Sequence, residues 1–302
     1  MVNVKQKLLF PAWDEIFSRK FFLSIFGVFL LCGFSPFPGN PGMDLAETSL
    51  SACLHYSREE LLSLGESASA YSFMVCFREM EWFAVLLPVL AAFPAVTDFA
   101  VQWASGYYYF SISRKTRKKY AAQWMLRAAA QGFFSIVFGI SLYFMMIYVK
   151  IPHFAAYHAD TQDSMIVMAY GATAGQRLIT LLLKVFHTGL LAAVLSMLAV
   201  ALTVFCNDSF FAVSALALME YFSMKLQSAY EGWLIAQYYQ QGLETPMPFR
   251  VIRFFFPSYH LYFDQSFSYE YGIGYWLYVL LAVLFTAGIW ICFYQMVTKR
   301  IE

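Results

Sequence analysis

The stretch that decides the fold is Ser105–Tyr120, SGYYYFSISRKTRKKY, which packs Arg114, Lys115, Arg117, Lys118 and Lys119 into six positions. On either side lie long apolar runs, Trp82 to Trp103 and Ala128 to Val149. Short basic segments between bilayer-length apolar ones are retained on the cytoplasmic side. Placing this loop inside therefore orients every other segment.

Composition points the same way. The 302-residue chain is 60% hydrophobic and 13% charged, with mean hydropathy +0.57. Soluble domains carry about 25% charged residues, so the deficit indicates a lipid environment. With 32 Phe, 21 Tyr and 7 Trp the chain is also rich in rings that settle at membrane interfaces. A net charge of +1 excludes a basic nucleic-acid binder. The five cysteines include no CxxC pair, which excludes a zinc ribbon or a thioredoxin-like site. No internal repeat is visible.

Outward from the basic stretch, the expected fold is an all-α polytopic membrane protein with six spans. Residues 1–20 alternate apolar and charged positions at helical spacing and read as an amphipathic interfacial helix. The spans are expected at about 21–37, 82–103, 123–149, 177–204, 210–229 and 272–297. Outside loops then fall at 38–81, 150–176 and 230–271, the last with short apolar pieces suited to re-entrant or interfacial helices. In this arrangement 12 of the 20 bases but only 5 of the 19 acids are inside. The basic excess places both termini in the cytoplasm. The expected location is the cell membrane, of the bacterial inner or plasma type.

Several residues are candidates for chemistry. Lys184 and His187 lie on one face of the fourth span and Glu220 midway along the fifth. Charges inside spans cost roughly 2.5–3.5 kcal/mol on insertion scales, so each needs a partner or a function. Lys184 and Glu220 could form an intramembrane pair, or these groups could line a substrate or proton pathway. Cys53 and Cys76 both fall in the first outside loop, where they could form a disulfide or remain two thiols. Ser57 and Glu60 form a capping-box pattern at the start of a short helix. His153, His158, Asp160 and Asp163 are close in sequence, but their spacing fits no closed metal motif and no metal site is expected.

Enzyme motifs are missing. Neither HExxH nor GxSxG occurs, and no phosphate loop ends in GK[ST], so this chain is expected to bind no ATP in the P-loop manner.

The order of parts resembles the permease subunit of the ABC-2 family of ATP-binding-cassette transporters. The local resemblance is carried by Asp98–Tyr120, DFAVQWASGYYYFSISRKTRKKY: an acid, a glycine, a short apolar stretch and a basic run ending in tyrosine. The family often has Glu where Asp98 stands. The resemblance implies that segment 106–120 is the coupling helix seated in an ATPase groove, with Gly106, Arg114, Lys115, Arg117, Lys118, Lys119 and Tyr120 as its contacts. Asp208, in the tight Cys206–Asp208 turn, would add a second, smaller contact. It further implies separate ATPase subunits carrying ATP and magnesium, a second permease chain in a homodimer or heterodimer, and export of an amphiphilic peptide, lipid-linked molecule or drug. The alternative from another class is a non-transporting membrane sensor or assembly factor that reads ligands through its outside loops.

Overall fold

A computed structural model describes residues 16–37, 47–63, 73, 76–80, 82–114, 116–151, 174–206, 208–243, 245–252, 256–261 and 275–299. These residues are helical, apart from turns and one isolated bridge between Pro36 and Thr48. The expected interfacial helix over residues 1–20 falls almost wholly outside them. So do His153, His158, Asp160, Asp163 and Lys115.

The first helix, α1 (Arg19–Gly33), starts where the Ser18 hydroxyl accepts the Phe21 amide at 3.3 Å. Its 15 residues rise about 22 Å, shorter than the apolar segment expected to end at Phe37. Two small helices follow, α2 (Ser49–His55) and α3 (Arg58–Ser63). The capping box at α3 is formed in both directions: Ser57 N donates to Glu60 Oε2 at 2.7 Å, and Glu60 N to Ser57 Oγ at 3.2 Å. The Ser57 amide, and after it the Ser57 hydroxyl, hold the Glu60 carboxyl below its usual range.

The long helices are α4 (Phe83–Ala104), α6 (Arg117–Lys150), α7 (Ala174–Cys206), α8 (Ser209–Gln237) and α11 (Tyr275–Lys299). Between α4 and α6 lies α5 (Tyr107–Arg114); between α8 and α11 lie α9 (Met247–Ile252) and α10 (Pro257–Leu261). Five of these helices are long and apolar enough to cross a membrane. The protein is thus an all-α, multi-pass membrane protein by the length and composition of its helices.

The centre of the bundle is α4, which packs against α1, α6, α7 and α8. It contains Pro88 and Pro94, each of which removes one rung of the helix ladder. The carbonyl freed by Pro94 is that of Leu90, and the Ser24 hydroxyl of α1 donates to it at 2.6 Å. A lost rung inside one helix has become a tie between two.

Small residues bring the other helices close. A Cβ at Gly132 of α6 would lie 2.2 Å from Ser196 Oγ and 2.8 Å from the Ala192 carbonyl of α7. A Cβ at Gly189 of α7 would meet Val137 and Phe133, and one at Gly139 would meet Val28 of α1. Without a hydrophobic drive between helices in lipid, such backbone approach supplies the packing energy. The pairing of Gly132 with Ser196, and of Gly189 with Val137, also shows that α6 and α7 are antiparallel.

Helix boundaries differ from expectation at two places in particular. The basic stretch is two helices rather than one loop: α5 ends at Arg114, and Thr116 caps α6 by accepting the Lys119 amide at 3.3 Å. The fifth span continues eight residues past Ala229 to Gln237, so the start of the expected outside segment 230–271 is helical. Two short helices, α9 and α10, lie within that segment.

The described part of segment 38–81 packs onto the bundle. Phe77 stacks on Phe83 at 4.7 Å and tilts against Tyr143 at 5.4 Å. Beneath them the buried hydroxyls of Ser35, Ser49 and Tyr143 bond to one another at 2.8 and 3.3 Å. Cys53 and Cys76 are both buried there, and no disulfide joins them. Burial pushes the Cys53 thiol up to about 11.

Candidate functional site

Polar groups collect at two levels of the bundle. The first is the end where α4 and α7 finish and where α6 and α8 begin. Here Asp98 of α4 accepts from Lys20 of α1 at 2.6 Å and from Arg127 of α6. The Arg127 guanidinium also lies 4.9 Å over the Trp124 ring. Asp98 therefore clamps three helices together, and its place ahead of the basic run has a structural reason within this chain.

From that clamp the chain runs into Gly106, whose φ of +70° lies in the left-handed region that glycine enters without strain. This turn lets α5 leave the axis of α4. Tyr108 folds inward and stacks on Trp103 at 4.3 Å. On the other side Tyr107, Tyr109 and Phe110 are exposed, Phe110 by 68%.

Next comes the start of α6. Arg117, Lys118 and Lys119 occupy its first turn, with no acidic residue among them. A helix N-terminus carries partial positive charge, so cations there are unfavourable by roughly 0.3–1 kcal/mol each. Lys118 is exposed, while Tyr120 is only 2% exposed and belongs to the core. Of the residues expected to make up the coupling surface, Tyr120 is thus a packing residue. Arg114 ends α5, and Gly106 shapes the turn.

The α7–α8 turn lies at the same end. Asp208 caps α8, its Oδ1 accepting the Phe210 amide at 2.7 Å. Phe205, Phe210 and Phe211 around it are exposed by 67%, 72% and 61%. Exposed aromatics therefore occur on both connections at this end of the bundle.

The second level lies within the helices. Lys184, His187 and Glu220 are all buried, but they do not form one group. Because the α7–α8 turn is tight, residues equally far from it lie at the same depth. Glu220 stands 11 residues past Ser209, and Lys184 stands 22 before Cys206. At 1.5 Å per residue that is about 17 Å against about 33 Å. The expected Lys184–Glu220 pair is accordingly not formed: no donor lies within hydrogen-bonding distance of either Glu220 oxygen. Glu220 belongs to a buried stripe of α8 with Ala212, Leu216, Met224 and Gln227.

Lys184 is level instead with Glu231, which accepts from Gln227 Nε2 at 2.9 Å. One turn along α7, His187 meets His260 of α10, Nε2 to Nδ1, at 3.3 Å. His260 went unrecognised in the sequence. The one available signal was a lone histidine after the helix-starting Pro257 in an otherwise aromatic run. Two imidazoles are half of a tetrahedral metal set, and among the described residues no group of three or more His, Cys, Asp or Glu comes together.

Compared with known protein families, with curated proteins and with solved structures, the chain matches none.

Proposed function

We propose that this chain is the membrane-spanning subunit of a transporter of the ATP-binding-cassette type, energised by separate ATPase subunits that dock on α5 and the first turn of α6. The observation that carries this reading is the basic first turn of α6 beside the exposed ring face of α5. Three cations at a helix N-terminus are disfavoured by its dipole, and an acidic docking partner would offset that cost. Tyr107, Tyr109 and Phe110 supply the apolar part of such an interface, where aromatic residues are favoured. With no phosphate loop in its own sequence, the chain depends on a partner for any energy drawn from ATP.

In this reading α1 is the sixth span. Its helix rises about 22 Å, so it would cross a hydrocarbon core of about 30 Å only together with residues flanking the helix. Both termini then lie in the cytoplasm. Two such chains, identical or similar, surround the path of an amphiphilic peptide, lipid-linked molecule or drug, moved outward. The clamp at Asp98 transmits movement of α5 and α6 to α1 and α4 as one body.

The test is co-purification. Replacing Arg114, Lys115, Arg117, Lys118 and Lys119 together with Ser is expected to abolish recovery of an ATP-hydrolysing partner in mild detergent while leaving the chain helical. Undiminished recovery of that partner would rule out docking at this surface.

A further inference from the structure

The connection from α8 to α11 sends one short helix into the bundle. α10 packs against α7, α8 and α4, and its last two residues, His260 and Leu261, are 5% and 0% exposed. Leu261 supplies apolar burial. On the polar side His260 reaches His187 of α7 at 3.3 Å, with ring centroids 5.3 Å apart.

A hydrogen bond between two imidazole nitrogens needs an N–H on one ring and a lone pair on the other. The contact survives when both rings are neutral and when one of them is charged. Once both rings are protonated, two N–H groups point at each other across the same gap and carry like charges.

The surrounding charges add to this. On α7, Lys184 lies one turn from His187, and Arg177 lies two turns further toward the helix start. On α8, Glu231 lies at the level of Lys184 and is held by Gln227; Glu220 is about 16 Å deeper, and Lys225 sits over the Tyr221 ring. Tyr230 donates to the Phe249 carbonyl at 2.8 Å. From α4 no Asp, Glu, Lys, Arg or His comes between Phe83 and Thr97. Among the described residues of α4, α7 and α8, Glu231 is the carboxylate level with Lys184.

We infer that the His187–His260 contact is a proton-sensitive latch: protonation of both rings in acidic medium releases α10 from its seat between α7 and α8. Release uncovers the polar level formed by Lys184, Thr188 and Gln227. The inference does not depend on the transport reading, since it concerns only the seating of α10.

Hydrogen exchange of the full chain in lipid nanodiscs tests it, with rates corrected for the intrinsic effect of pH. Between about pH 7.5 and about pH 5.5, a range that spans imidazole titration, amides of residues 258–261 are expected to lose protection about tenfold, while those in the middle of α6 keep theirs. In His260→Gln and His187→Asn variants the same peptide is expected to show little pH response, with α6 protection reporting that each variant is folded. Equal protection of the wild-type peptide at both pH values would overturn the latch. So would a variant that keeps the wild-type response, or acid loss of protection throughout the bundle. The wild-type arm stands even where a variant fails to fold.

Discussion

The half of the bundle built from α1, α4 and α6 and the half built from α8 and α11 differ in how far their helices are tied to one another. In the first half several polar groups are matched across helices, while the Ser135 hydroxyl of α6 is buried with no hydrogen-bond partner among the described residues. Asp98 takes Lys20 and Arg127, Ser24 takes the Leu90 carbonyl, and Ser35, Ser49 and Tyr143 share their hydroxyls. In the second half Glu220 is buried with no donor within hydrogen-bonding distance. Coverage differs as well: 56% and 44% of the apolar windows of α4 and α6 are buried, against 28% and 17% for α8 and α11. The faces of α8 and α11 left open carry Leu218, Phe222, Leu226, Leu284 and Phe285, side chains suited to lipid or to a second apolar chain. The lesson is that one half is cross-tied into a frame, whereas the other is held mainly by one face of each helix.

Three substitutions separate the halves. The largest effect is expected at Gly132, where a Cβ has no room against Ser196 and the Ala192 carbonyl. Gly132→Val should cost about 3 kcal/mol through overpacking of the α6–α7 seam, seen as a drop in the midpoint of thermal unfolding in detergent. Asp98→Ala comes next. It leaves the Arg127 side chain, 11% exposed, without its acceptor, while Lys20, 40% exposed, can turn to water. With that exposure discounted, a loss of about 2 kcal/mol is expected, and exchange should rise together in α1 and the inner part of α4. The smallest effect is expected at Glu220→Gln. No contact of the chain depends on a charge there, so the isosteric amide should cost less than about 1 kcal/mol. A loss as large as that of Asp98→Ala would show that the second half is cross-tied too.

Much of this frame was legible in the sequence because it rests on local chemistry. Apolar runs of bilayer length marked the long helices, and the spacing of Ser57 and Glu60 marked the cap on α3. The split of the basic stretch at Thr116 was less visible, because bases mark the side of a membrane and say little about backbone conformation. Thr116 as a helix cap was the cue that could have revealed it.

The site was harder to read, since its parts meet across long sequence separations. Lys20, Asp98 and Arg127 come from three helices, and nothing along the chain links them before the helices pack. The pairing drawn between Lys184 and Glu220 treated adjacent helices as if any two mid-span residues could meet. The tight turn at Asp208 sets their depths about 16 Å apart, and that register could have been counted from the turn. The meeting of His187 with His260 depends on α10 folding back among the long helices, which no periodicity reports.

The side of the membrane on which α5 lies bears most directly on the docking role. In a chain whose five cysteines are replaced by Ser, a single cysteine at the exposed Ser113 can be challenged with a membrane-impermeant thiol reagent. The expected result is no labelling in intact cells and full labelling after permeabilisation. Labelling in intact cells would put the aromatic and basic surface outside, where no ATPase could reach it, and would contradict the proposed function.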